Sequence, residues 1–287
     1  MKKLQSFYRR QNRPLWGRRI SVRFPLFLLV LLVALVACGR ERAEYDVRII
    51  IGATPTPHAD VLRYIHADLL AEGIYLDISE INDFGLVNRM LSDGSIQANY
   101  FQHRPFLDAY IHATNNSLHV VGEIHVEPMG VYSASLSSLN DVPPGARVVL
   151  PVDPTNYARG LLLLQQAGLI TVDPAAGILA TDTDITDNPL GLTFHPVAAA
   201  TVPRVMNEFD LAVINSNHLL ASGLGMTPAN DSLIMEEISG NIYANLLVVR
   251  EEDADNPAIE ALFNHLTSER VREYFERRWP GSVFPVF

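Results

Sequence analysis

Short uncharged runs rich in β-branched residues, each followed by apolar residues at helical spacing, constrain this chain more than any other feature. Val47–Ala53 (VRIIIGA) carries no charge after Arg48, as a strand buried on both faces of a parallel sheet requires. The prolines of Thr54-Pro55-Thr56-Pro57 turn the chain. Val61, Leu62, Ile65, Leu69 and Leu70 then share one face of a helix that Gly73 ends. Tyr75–Ile81 alternates apolar and polar residues like a half-buried strand, Leu86–Leu91 reads as a second helix, and Ala98–Phe101 as a third strand. The order β-α-β-α-β is that of an α/β lobe.

A second unit begins near Met129-Gly130. Arg147–Leu150 is its first clear strand, Asn156–Ala167 a helix with Gly168 behind it, and Asp210–Ile214 a further strand. Asn245–Arg250 returns as a strand, and Pro257–Arg278 is a helical stretch with charged faces. Two α/β lobes are therefore expected, joined by segments crossing near 127–132 and 236–246. Residues 46–129 with 242–287 make lobe 1 and residues 130–241 make lobe 2. In such folds a ligand binds at the carboxyl ends of strands, in the cleft between lobes.

Charge is distributed unevenly over the 287 residues. Residues 1–23 hold eight basic and no acidic residues; without those eight, 14 basic residues face 32 acidic ones, a net of −18. So acidic a body repels phosphate backbones, which excludes nucleic acid as a partner. Phe24–Ala37 follows as fourteen almost purely apolar residues, short of the ~20 that a helical membrane span needs. A basic segment, an apolar core and small residues at its end are the marks of a secretory signal. The run closes on Leu35-Val36-Ala37-Cys38, which resembles the bacterial lipobox, whose cysteine is acylated and becomes the first mature residue. Cys38 is the single cysteine of the chain, so no internal disulfide exists. The expected layout is a signal peptide over 1–37, lipidated Cys38 and a tether over 38–45, and a globular body held to the extracytoplasmic face of the cell membrane. Arg18-Arg19 leaves the choice between general secretory and twin-arginine export open.

The polar residues that could hold a ligand stand at strand ends. Asp153-Pro154-Thr155-Asn156 follows the Arg147–Leu150 strand and offers a cap and a proline at a helix start, where free amides attract anions. Arg159 lies three residues after Asn156, on the same side of the first turn, where a guanidinium fork could take a carboxylate. The same residues equally make an ordinary N-cap and a surface arginine. Asn215, after Leu211–Ile214, presents an amide oxygen that can accept from a ligand ammonium, or it is a plain turn residue. Asn99–Phe106 gathers aromatic groups as core or as a ligand wall. An anion site, an ammonium acceptor and an aromatic wall together describe an α-amino acid with an apolar side chain.

Catalytic patterns are missing from the sequence: it holds no Gly-x-Ser-x-Gly, no P-loop and no Gly-x-Gly-x-x-Gly after a strand. His119 and His125 would share one strand face, but without the spacing of a ligand cluster, so neither a metal nor a cofactor is expected. An enzyme built on the same cleft would have His103 as its general base. A lipid-tethered interaction or adhesion protein is the other alternative to a binding protein.

The segments IGATPTPHADVL, LSDGSIQANYFQHRPFLDAY, HVEPMGVYS, VVLPVDPTNYARGLLLLQQAGLI and DLAVINSN, in this order over residues 47–287, resemble those of the NlpA lipoprotein family, the methionine-binding lipoproteins of ABC-type importers. The resemblance implies a two-lobed type 2 periplasmic-binding-protein fold that closes on L-methionine and delivers it to a permease and its ATPase. It implies Arg159 on the ligand carboxylate, Asn156 in polar contacts, and Asn215 on the amino-acid backbone group. The thioether would sit among Phe101, His103, Phe84 and Phe106. Members of the family commonly carry Tyr where Phe84 and Phe106 stand, so this pocket has fewer hydroxyls. D-Methionine, a methionine dipeptide and other apolar amino acids remain as further ligands.

Overall fold

The computed structural model describes residues 45–240 and 242–287. The signal peptide and the lipidation expected at Cys38 lie outside these residues. No helix among the described residues is long and apolar enough to cross a membrane.

The chain runs β1 (Val47–Ala53), α1 (Asp60–Ala71), β2 (Ile74–Glu80), α2 (Phe84–Ser92), β3 (Ala98–His103), α3 (Arg104–Thr114) and β4 (Leu118–Val126). It continues with β5 (Gly130–Tyr132), β6 (Arg147–Pro151), α4 (Pro154–Gln166), the small ribbon β7 (Thr171–Val172) and β8 (Ile185–Asp187), and β9 (Thr193–Val197). Next come β10 (Leu211–Ile214), α5 (Ser216–Ala221), β11 (Ile234–Met235), β12 (Ala244–Arg250), α6 (Pro257–Leu266), α7 (Glu269–Arg278) and β13 (Phe284–Pro285).

Six strands form one sheet in the order β13-β4-β12-β3-β1-β2, and five form another in the order β11-β5-β10-β6-β9. β1 pairs in parallel with β2 and β3, which suits its uncharged run. β12, returning from the second sheet, enters the first antiparallel between β3 and β4. In the second sheet β10, β6 and β9 are parallel, and β5 runs antiparallel to both of its neighbours, β10 and β11.

Both faces of each sheet are covered because successive strand residues point to opposite sides. Ile49, Ile51, Leu247 and Val249 pack under α1, α6 and α7, while Leu246 and Val248 meet Val87, Leu91 and Leu107 of α2 and α3. In the second sheet Val148, Leu150 and Val213 pack on Ala158, Leu161 and Leu164 of α4; Val149, Ala212 and Ile214 meet Val202, Met206 and Leu219. Gly160, in the middle of α4, has a close-packing reason: a Cβ there would stand 3.3 Å from Val213. The helix that carries Asn156 and Arg159 thus lies tight on β10, whose end leads to Asn215.

The helical stretch expected over 257–278 is two helices, broken at Thr267-Ser268. The two histidines expected on one face of β4 differ in surroundings. His119 is half-buried beside Glu251, and His125 is fully buried.

Candidate functional site

A cavity lies between residues of the two sheets, lined by Phe84, Phe101, His103, Phe106, Asn156, Arg159 and Asn215, with His58, Gln102, Glu127 and Asn245 among its other walls. All seven residues singled out in the sequence for the ligand thus come together in one place. The cavity volume is only about 20 Å³, so the walls stand close.

The start of α4 organises one side. The Asp153 side chain accepts from the backbone N–H of Asn156 at 3.1 Å and from its Nδ2 at 2.8 Å, so a carboxylate of the chain itself caps this helix. Fixed this way, Asn156 turns its Oδ1 toward Asn215 Nδ2 at 2.8 Å and His103 Nε2 at 3.2 Å. His103 Nδ1 accepts from the backbone N–H of Phe106 at 3.2 Å and so caps α3, which puts the ring proton on Nε2, facing Asn156. Burial, with the nearby Arg159 charge adding to it, lowers the His103 pKa to about 3; the ring is neutral near pH 7. Asn215, with its Nδ2 engaged, keeps a buried Oδ1 that has no hydrogen-bond partner among the described residues. A buried acceptor left open costs about 1–3 kcal/mol, so it is a strong pointer to a donor.

One helical turn on, Arg159 is 3% exposed. Its Nε and Nη2 donate to Glu236 Oε1 and Oε2 at 2.7 and 2.6 Å, and Nη2 also donates to the backbone carbonyl of Glu127 at 2.9 Å. The guanidinium lies 4.1 Å over the Tyr243 ring. Burial opposes its charge, but Glu236 outweighs burial and the pKa ends above the usual arginine value. The fork that the sequence suggested for a ligand therefore faces Glu236. Nη1 is the nitrogen left without a partner among the described residues.

His58, His125 and Glu127 make a buried polar group. Glu127 Oε1 stands 2.7 Å from His125 Nε2 and 3.3 Å from His58 Nε2, which also lies 3.0 Å from Asn245 Oδ1. The Nδ1 atoms face Thr54 Oγ1 at 2.6 Å and the Tyr100 hydroxyl at 2.5 Å. With a proton on each Nε2, the hydroxyls donate to Nδ1 and both rings donate toward Glu127. Burial lowers His58 to about 4 and His125 to about 3, and raises Glu127 to about 7 against the pull of His58 and Arg159. These three side chains are the one group among the described residues able to hold a metal jointly. Two ligands of a tetrahedral ion at about 2.0–2.2 Å would stand about 3.3–3.6 Å apart. The 2.7 Å between His125 and Glu127 is instead a hydrogen-bond length, and every ring nitrogen already has an oxygen partner.

Opposite the polar groups stand Phe84, Phe101 and Phe106, their ring centroids 5.7–5.9 Å apart. Gln102 is held beside them by a buried amide cluster with Asn88 and Asn99. A polar side with an open acceptor and the Arg159 guanidinium thus shares the cavity with an aromatic side. Reading the sequence missed His58, Glu127, Glu236 and Asn245. His58 and Glu127 lie inside segments that carried the family resemblance, whereas nothing local marks Glu236, whose partner is 77 residues away.

Two sheets with a polar-aromatic cavity between them, and a returning strand inserted into the first, define a two-lobed α/β binding-protein fold of the type 2 periplasmic class, and solved structures agree. A nutrient binding protein from Burkholderia cenocepacia bound to methionine superimposes with a TM-score of 0.80 at 35% identity, covering 83% of this chain and 100% of that one. The chain belongs to the NlpA lipoprotein family, whose pattern it matches over residues 49–287. Similar relatives include the methionine-binding lipoprotein MetQ of Bacillus subtilis, 34% identical over 90% of this chain and 96% of its own length. The D-methionine-binding lipoprotein MetQ of Escherichia coli is 34% identical over 88% and 92%. All three are described as binding proteins.

Proposed function

We propose that this chain is a lipid-anchored extracytoplasmic binding protein that captures L-methionine, or a close apolar amino acid, and delivers it to an ABC importer. The observation that carries the reading is the buried, unpartnered Asn215 Oδ1 in the same cavity as Arg159. An ammonium donates to Asn215 and to the Glu127 carboxylate, and a carboxylate accepts from Arg159 Nη1. Asn156 holds Asn215 in place, and the thioether lies against Phe84, Phe101 and Phe106 beside His103, a contact worth about 0.3–1.5 kcal/mol. Similarity to proteins named for methionine binding, and to one bound to methionine, supports the choice of ligand.

In this reading residues 46–129 with 242–287 are one lobe, residues 130–241 the other, and they part to admit the ligand. Closure on the ligand shifts the population toward the form a permease recognises. Acylated Cys38 holds the protein at the membrane, where two or more acyl chains anchor stably. The role in this reading is not catalytic: His103, the general base that the sequence suggested for an enzyme, has both nitrogens engaged and a pKa of about 3. Native mass spectrometry of the purified protein tests the proposal. A retained mass equal to methionine, exchangeable for added L-methionine, is expected; a cavity that no amino acid occupies overturns it.

A further inference from the structure

A second and larger cavity adjoins the first. Its volume is about 650 Å³, and its lining includes Ala109 and Ala113 of α3, Val152, and Ala198–Ala200. Phe84 and Phe106 line both cavities, whereas Asn156, Arg159 and Asn215 line the inner one and not the outer. A ligand held by those polar groups therefore reaches the outer space past Phe84 and Phe106, with the far end of its side chain leading.

The outer wall carries one polar anomaly. His218 is 4% exposed, its ring lies 4.9 Å from that of Phe84, and its Nε2 is buried with no hydrogen-bond partner among the described residues. Burial lowers its pKa to about 4, with Arg204 adding to the effect, so the imidazole is neutral near pH 7 and can donate from one nitrogen and accept at the other. Buried polar atoms in native proteins nearly always have a partner. A space of several hundred Å³ with a mostly apolar wall and a few polar side chains, Asp83, Tyr110, Asp153 and Thr155 beside His218, is the form of a small-molecule site.

We propose that the outer cavity extends the amino-acid site. It would take the end of a ligand whose apolar side chain is longer than that of methionine and finishes in a hydrogen-bonding group, which meets His218. The inference rests on the amino-acid-binding reading of the inner cavity. It makes the aromatic pair Phe84 and Phe106 a passage between two subsites rather than the closed end of one.

Calorimetry on the full-length protein in detergent tests this, with L-methionine, S-butyl-L-homocysteine and S-(3-hydroxypropyl)-L-homocysteine as probes. The two long probes have equal numbers of heavy atoms and differ in one hydroxyl. Both are expected to bind within about tenfold of methionine, the hydroxylated one more tightly by about fivefold. Ala109→Phe and Ala199→Phe, which fill the outer space from half-buried positions, should weaken both long probes by about tenfold or more and leave methionine within about twofold. His218→Phe should erase the preference for the hydroxyl. Long probes that bind more than about a hundredfold worse than methionine, or filling variants that weaken methionine equally, overturn the inference. If neither methionine nor the long probes bind, the amino-acid reading itself falls, and the extension with it.

Discussion

Arg159 and Glu236 face each other fork to fork, Nε on Oε1 at 2.7 Å and Nη2 on Oε2 at 2.6 Å. Glu236 Oε2 also accepts the backbone N–H of Met129 at 2.7 Å, and the Glu236 N–H donates to the Met129 carbonyl at 3.0 Å. One carboxylate therefore ties together the two segments that cross between the sheets and fixes the guanidinium.

Removing that carboxylate strands a buried cation. Glu236→Ala is expected to lower stability by about 3–5 kcal/mol, read from the urea midpoint, with Glu236→Gln milder because the amide still accepts. A loss under about 1 kcal/mol would mean that water replaces Glu236 without cost and that Arg159 is not positioned by it.

Asn215→Leu keeps the volume and deletes the open acceptor. L-Methionine affinity should fall by about 1–3 kcal/mol, about five- to 150-fold by titration calorimetry. Unchanged affinity would place the ligand ammonium elsewhere.

Acid should destabilise the fold above pH 4. His58, His103, His125 and His218 are all lowered by burial, from 6.5 to about 3–4. As pH falls through that window the unfolded chain takes protons that the folded one refuses. Stability is lost at about 1.4 kcal/mol per pH unit for each ring. Glu127, raised from 4.5 to about 7, works in the opposite sense: its contribution is present below pH 4.5 and lost as pH rises to 7. Four groups against one leave a net acid loss between pH 6.5 and 4, visible in urea unfolding at stepped pH. His125→Phe should flatten the slope.

Ligand affinity should follow Glu127 separately. An ammonium needs the ionised carboxylate, so methionine affinity is expected to drop by about tenfold per pH unit below 7, while the histidines stay neutral down to about 4. Calorimetry between pH 8 and 6 reads this, and Glu127→Gln should remove the dependence.

Much of the architecture was legible because each sheet is buried on both faces. VRIIIGA and DLAVI could be nothing but inner strands, and Gly73 and Gly168, at φ of +79° and +72°, end the helices they were expected to end. α3 was hidden behind its own cap. His103 is not a common N-cap residue, so the run from Asn99 to Phe106 reads as one aromatic cluster, although Pro105 at the helix start was the available signal. The cavity residues were legible where they sit at strand ends, as Asn215 and Asn156 do. Glu236 was not, since a glutamate after a two-residue strand looks like any surface acid until Arg159 is brought beside it. The fork of Arg159 points the same way: sequence gives its turn of helix, but only the tertiary contact determines which nitrogens remain free.

The most direct test is calorimetric titration of the full-length protein with L-methionine at pH 8, beside Arg159→Ala. One site per chain in the natural protein, weakened by about 2–5 kcal/mol in the variant while methionine amide loses far less, is the predicted result. Equal affinity of both proteins for methionine would contradict it, because the carboxylate would then not be held by Arg159.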